Sequence, residues 1–347
     1  MLTTTRVGSV GRLATLTPAP DLEPCGVPDV RHHRVQVPAT SANLGPGFDA
    51  FGLAVDRYLA VRSLPRRPGE PRVRHLGDGA AGLPTGDDNL IWRSLVSFCD
   101  AWDLPVPDVA LATTTQIPVE RGMGSSSAAI VAGVVLGRAL TDAEVGDREL
   151  VRLVDAIEGH PDNVAPALLG GVVACARGDD GELVIRRRNP APHLRPVLLV
   201  PATRQGTDSA RAVLSDSFDR EELVTQAGRA GHVLAGLLGA WPVAPAASGD
   251  RLHEPTRLAM MPGTAAVVGQ LRAAGVHVWL SGAGPSVAGV LTDGDRAALD
   301  TVRRVGADHG FALETCRFEL SGALACPEDG CALAGSGGCV QCPGQRV

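Results

Sequence analysis

No apolar run in this chain of 347 residues approaches the roughly 18 needed to cross a membrane. There is no excess of positive charge either. The formal net charge is −6, which excludes the basic footprint of a nucleic-acid binder. The opening stretch, MLTTTRVGSVGRLATLTPAPDLEPCG, lacks a secretory apolar block and a cleavage site. Its Pro, Thr and Gly content predicts a poorly ordered extension over residues 1–33, and a cytoplasmic location is expected. Two familiar nucleotide signatures are missing from the glycine-serine stretch at 121–127. No Lys-Ser or Lys-Thr follows its glycines, and it does not read GxGxxG. What remains is 44% apolar and 20% charged residues, the composition of a globular protein with a substantial core.

The most telling stretch that is present runs QIPVERGMGSSSAAIVAGVVLG, from Gln116 to Gly137. Its first part is small and hydroxyl-rich: Arg121, Gly122, Met123, Gly124, Ser125, Ser126 and Ser127. Its second part is almost wholly Ala, Ile, Val, Gly and Leu. A glycine-serine turn entering an apolar helix aims backbone N–H groups at one spot, on the positive end of the helix dipole. Small residues let a phosphate approach, and hydroxyls can bond it or a bound cation. Taken alone, the motif is equally compatible with a turn and a capped buried helix.

The chain in order predicts a strand at 34–37, then a loop over Pro38–Gly52 that is rich in turn formers. A second strand spans 55–63, and a charged Pro/Gly segment covers 64–88. A helix is expected over Asn89–Trp102, a strand at 109–115 and a helix over Arg148–Glu158 that stops at Gly159. Glu158 then sits on the disfavoured end of the dipole, a cost that a bound cation would offset. His160, Asp162 and Asn163 follow, with N-capping as the plain alternative for the last two. Residues 171–176 and 182–186 read as a hairpin. Beyond about Pro190 the order strand, helix, helix, strand, loop SGAGPS, strand, helix, strand describes a two-layer α+β unit.

Five blocks, PATSANLGPGFDAFGLAV, IPVERGMGSSSAAIVAG, EGHPDNVAPALLGG, DRLHEPTRLAMMPG and WLSGAGPSVAGVL, occur in the order and spacing of bacterial homoserine kinases, members of the GHMP kinase family. The resemblance covers about residues 34–320. It implies an α+β two-domain fold: a domain like ribosomal protein S5 domain 2 over 34–189 and a ferredoxin-like domain over 190–320. It implies a cleft between them that phosphorylates the hydroxyl of L-homoserine with ATP and Mg²⁺, and a homodimer. By resemblance, Arg121–Ser127 cradle phosphate, Ser126 and Glu158 hold Mg²⁺, and Asn89 lies near the adenine. Arg211 and Arg257 take the acceptor carboxylate, and Asp49 its ammonium. Asn43, Asn163 and His160 complete the acceptor site. Asn163 occupies the place where related kinases carry a catalytic aspartate. It cannot act as a base, so the γ-phosphate or a relay through Thr207 is expected to take the proton.

Three features depart from that pattern. Thr256 precedes Arg257 where many relatives have tyrosine, which points to a second reading with another small hydroxy amino acid or amino alcohol as acceptor. A further reading is a catalytically silent sensor, but Ser126, Glu158 and the GxGSS glycines are all retained. The extension at the start is long. The tail over 321–347 carries Cys326, Cys331, Cys339 and Cys342 with the spacing C-x4-C-x7-C-x2-C. Free thiols are the expectation there, with structural Zn²⁺ or redox pairing as alternatives.

Overall fold

The computed structural model describes residues 32–77, 82–204, 211–215 and 217–327. Two sheets organise them. The first has the order β11-β1-β2-β4-β3, with β5 and β6 attached beside β2. Its strands are β1 (His33–Ala42), β2 (Phe51–Pro65), β3 (Val73–His75), β4 (Val109–Thr115), β5 (Val172–Arg177), β6 (Leu183–Arg188) and β11 (Leu324–Pro327). The second is antiparallel, with the order β10-β7-β9-β8. It comprises β7 (Leu194–Pro201), β8 (His277–Leu280), β9 (Val287–Thr292) and β10 (Phe311–Thr315). Helices α7 (Pro262–Ala273) and α8 (Arg296–Asp308) bury Val267, Val268, Leu271, Val302 and Val305 against this sheet. That strand order with helix crossovers is the expected ferredoxin-like arrangement.

The helices of the first unit are α1 (Leu90–Ala101), α2 (Ser125–Leu140), α3 (Asp147–Glu158) and α4 (Pro161–Leu169). Helix α2 is nearly all apolar because it is covered on every side. Ile130 to Gly137 are buried without a break. It lies close to α1 because Gly133 has no side chain. A Cβ there would stand 2.2 Å from the Ile91 carbonyl oxygen. Each large side chain buried in this packing, Leu95 and Phe98 among them, contributes roughly 1.5–3 kcal/mol of transfer free energy.

The first sheet corrects one expectation. Strand β1 runs through Pro38 to Ala42, a stretch expected as loop. The pairing with β2 shifts register between Pro38 and Ala39, and such an irregularity accommodates a residue without an N–H. The loop proper is confined to Asn43–Ala50. The long segment after β2 contains β3, which pairs in parallel with β4. Residues 324–327, in the expected tail, form β11 along β1, and Cys326 is buried there. Cys331, Cys339 and Cys342 lie outside the described residues, as does Thr207.

The two units share one continuous core. Trp279 of β8 and Leu198 of β7 belong to the same buried cluster as Val35, Leu53 and Val134. The seam also has a polar thread. The Trp279 indole N–H donates to Ser41 Oγ at 3.0 Å, Ser41 bonds Ser281 Oγ at 2.8 Å, and Ser281 donates to the Gly122 carbonyl at 2.6 Å. It ties the ends of β1 and β8 to the loop before α2. Helix α5 (Arg220–Leu237) carries a capping box from Asp219 and Glu222, and α6 (Glu254–Ala259) follows. Among the described residues no helix is long and apolar enough to cross a membrane.

Candidate active site

Helix α2 starts at Gly124, whose φ of 68° places it in the left-handed region. Gly122 is left-handed too, with φ 69°, and a Cβ on it would lie 2.1 Å from the Ser281 carbonyl oxygen. These glycines bring the loop against the 281–284 turn, so the SGAGPS block packs on the glycine-serine loop. The open N-terminus of α2 then presents the N–H groups of its first turn, as an anion site requires.

Helix α3 delivers Glu158 to the same place and ends there, with Gly159 at φ 88° as its C-cap. Both Ser126 and Ser127 donate their hydroxyls to Glu158 Oε1, at 3.0 and 2.7 Å. A carboxylate at a helix C-terminus, met by two hydroxyls at the mouth of an anion site, is a hard oxygen set. It fits Mg²⁺, which would be held by Glu158 and Ser126.

Helix α4 begins directly after and buries Asp162 and Asn163 in its first turn. Asn163 Oδ1 accepts a hydrogen bond from Thr40 Oγ1 at 2.7 Å, which leaves its NH2 group for a ligand. His160 Nδ1 and Asp162 Oδ1 are 2.8 Å apart. Burial opposes a charge on His160, but the hydrogen bond and charge of Asp162, with Glu158, prevail and hold the imidazole above its ordinary range.

The rest of the wall comes from the 43–50 loop and the second unit. The side-chain NH2 of Asn43 donates to the Gly282 carbonyl at 3.0 Å, and its Oδ1 accepts from the Asp49 N–H at 3.2 Å. Asp49 is held bidentately by Arg211, at 2.8 and 2.9 Å. Arg257 on α6 is buried and donates to the Gly282 carbonyl and toward His253 Nδ1, both at 3.2 Å. Together these groups line one cleft open to solvent. Its wall carries the carboxylates of Asp49, Glu120, Glu158 and Asp162 against the guanidiniums of Arg211 and Arg257. The chain has no lysine, so anion binding here falls to arginine and backbone N–H.

Compared with known proteins, residues 89–171 match the family model for the GHMP kinases N terminal domain, and residues 242–308 that for the GHMP kinases C terminal. Homoserine kinase from Solibacter usitatus is 39% identical over 289 residues, covering 82% of this chain and 94% of that protein. The chain belongs to the homoserine kinase family of GHMP kinases. Homoserine kinase from Streptomyces avermitilis is 38% identical over 298 residues, 85% of this chain and 95% of its own. The solved homoserine kinase from Cytophaga hutchinsonii superposes with a TM-score of 0.71 over 88% of this chain and 100% of that one. At 24% identity that likeness shows the fold alone.

Most residues the family pattern singles out meet in the cleft, but among the described residues three do not line it. Asn89 caps α1: its Oδ1 accepts from the Ile91 N–H at 2.9 Å and its NH2 donates to the Pro84 carbonyl at 2.7 Å. Arg121 spends its guanidinium on the carbonyls of Val119, Pro201 and Ala202, pinning the loop to the end of β7. The Met123 side chain is in the core, and only its backbone serves the loop, its carbonyl accepting from the Thr40 N–H at 3.2 Å. Two wall carboxylates lie outside the residues that the family pattern names. Glu120 sits just before the expected cradle, and the sequence reads Asp162 only as an N-cap. The signal for Asp162 was its place between His160 and Asn163. Among the described residues, Asp49, His160 and Asp162 also form a group close enough to hold a cation.

Proposed function

We propose that the chain transfers the γ-phosphoryl group of ATP to the side-chain hydroxyl of L-homoserine, giving O-phospho-L-homoserine on the way to threonine. The observation that carries this reading is one cleft with two chemically distinct ends. At one end the α2 N-terminus, Ser126 and Glu158 suit a polyphosphate with its cation. At the other, Asp49, Arg211 and Arg257 suit an ammonium and a carboxylate. Family membership is what supports expecting a homodimer and a cytoplasmic location.

Phosphoryl transfer needs positioning and charge neutralisation more than covalent help. The N–H groups of the α2 first turn and its dipole hold the phosphates. Mg²⁺, when bound by Ser126 and Glu158, offsets charge on the transferring group. The arginines orient the acceptor through its carboxylate, where a guanidinium fork binds both oxygens. Asn43 helps set the acceptor wall through Asp49. The NH2 group of Asn163 orients the hydroxyl oxygen and leaves the proton for the phosphate oxygens. His160, kept protonated more readily by Asp162, adds positive charge beside the reacting groups.

Release of ADP is the test, with L-homoserine, D-homoserine, L-threonine, L-serine and small amino alcohols as acceptors. Turnover on L-homoserine far above the rest is expected. A preference for another alcohol would move the protein out of threonine synthesis, and Thr256, half-buried beside Arg257, marks where such a change would be built.

A further inference from the structure

The acceptor end of the cleft is already occupied by a charge pair of its own. Asp49 and Arg211 are joined through both oxygens and two guanidinium nitrogens at 2.8 and 2.9 Å. They are the two groups whose chemistry suits an ammonium and a carboxylate. Both lie in the cleft wall rather than on an outer face. Asp49 is held there at some cost, since its φ of 53° is left-handed for a residue with a side chain. Phe48, the preceding residue, places its ring 5.8 Å from the Arg211 guanidinium carbon and 5.4 Å from that of Arg257. One short loop segment therefore presents both the anion and the aromatic face that receive Arg211.

We propose that Asp49 and Arg211 satisfy each other in the ligand-free cleft and exchange that partner for the two charges of the acceptor, which makes the site selective for zwitterions over singly charged alcohols. A zwitterion breaks one pair and forms two: its ammonium takes Asp49 and its carboxylate takes Arg211. An acceptor with only a carboxylate frees Arg211 but leaves Asp49 without its bidentate partner, in a wall where Glu120, Glu158 and Asp162 compete with it for Arg257 and His160. An acceptor with only an ammonium strands Arg211. Each singly charged analogue therefore loses its own missing contact and also breaks the internal pair without replacing it. The inference rests on the acceptor reading above and adds a rule for what the site rejects.

The exchange predicts gains, which simple contact loss does not. Full-length protein without nucleotide is titrated calorimetrically with 4-hydroxybutanoate and with 3-aminopropan-1-ol. Asp49→Asn is expected to bind 4-hydroxybutanoate about three- to tenfold more tightly than the unmodified chain, because Arg211 is released. Arg211→Gln is expected to gain by a similar factor for 3-aminopropan-1-ol. Both side chains are partly exposed, so both variants should fold. Glu120→Gln removes a negative charge from the same wall outside the pair, and little gain is expected. Equal or weaker binding in either variant, or no measurable binding, overturns the exchange. So does a gain in Glu120→Gln that matches Asp49→Asn, because it assigns the effect to bulk charge. Turnover of L-homoserine is measured on the same preparation. Its absence overturns the acceptor assignment, while the binding titrations still decide the exchange.

Discussion

Glu158 is the residue on which the proposed phosphate end would depend, because it gathers Ser126 and Ser127 and would offer charge to a cation. Glu158→Gln keeps a carbonyl oxygen for both serines and removes the charge. It should lower kcat by about 100-fold and raise the Mg²⁺ concentration needed for half activity. Ser126→Ala should lower kcat comparably with the fold intact by circular dichroism. A Glu158→Gln enzyme with unchanged Mg²⁺ dependence would remove Glu158 from the cation site. His160 carries a pH signature of a different kind. Its folded pKa lies above the open-chain value of about 6.5, so the stability gained from Asp162 is complete below that pH. That stability is lost as pH rises through the elevated value. The difference in urea midpoint between the unmodified chain and His160→Gln should be largest at the acid end and shrink toward pH 9.

The elements that build the site are fixed by close backbone approaches, and Gly122 is the most exacting. An added Cβ would meet the Ser281 carbonyl at 2.1 Å, and neither backbone has room to withdraw. Gly122→Ala should cost about 2–4 kcal/mol and weaken nucleotide binding. Gly275, with φ 77° and open space around it, isolates the backbone cost, so Gly275→Ala should lose only about 1 kcal/mol. Urea unfolding of the two variants compares them directly. Elements of this kind differ in how far the chain announces them. Helix α1, the α2 loop and the Glu158–Gly159 stop were legible because each has local chemistry: an apolar period, a glycine turn, a helix-stopping glycine. Strand β1 beyond Pro38 was not. Pro, Thr, Ser and Ala there look like loop, and only pairing with β2 across an irregular register makes them strand. β3 and β11 are three- and four-residue strands created by their partners. The side chains of Arg121 and Asn89 are engaged with backbone groups, which their motifs do not announce. A motif shows which residues recur at a site, but not whether a side chain faces the ligand or braces the backbone that does.

At the scale of the whole molecule, the shared core through Trp279 and the Trp279–Ser41–Ser281–Gly122 thread make the cleft a product of both units. Loosening either unit should therefore disturb the site. Acid should loosen the second unit. Burial lowers His253, beside Arg257, and His277, beside Trp279, to about 4. Between there and about 6.5 the unfolded chain binds more protons than the folded one, so stability falls as pH falls. Each imidazole accounts for up to about 3 kcal/mol across that window. Replacing one with a residue that does not titrate, His277→Leu, should flatten the dependence by about 1.4 kcal/mol per pH unit in urea titrations between pH 4.5 and 6. An unchanged slope would mean that His277 is already protonated in the fold. The central claim concerns the reaction itself, and identifying its product tests that most directly. The protein would be incubated with Mg²⁺, ATP and L-homoserine, and the phosphorus–proton coupling of the product read by NMR. A phosphate coupled to the side-chain methylene of homoserine is the predicted result. Hydrolysis of ATP to inorganic phosphate, with homoserine recovered unchanged, would contradict it.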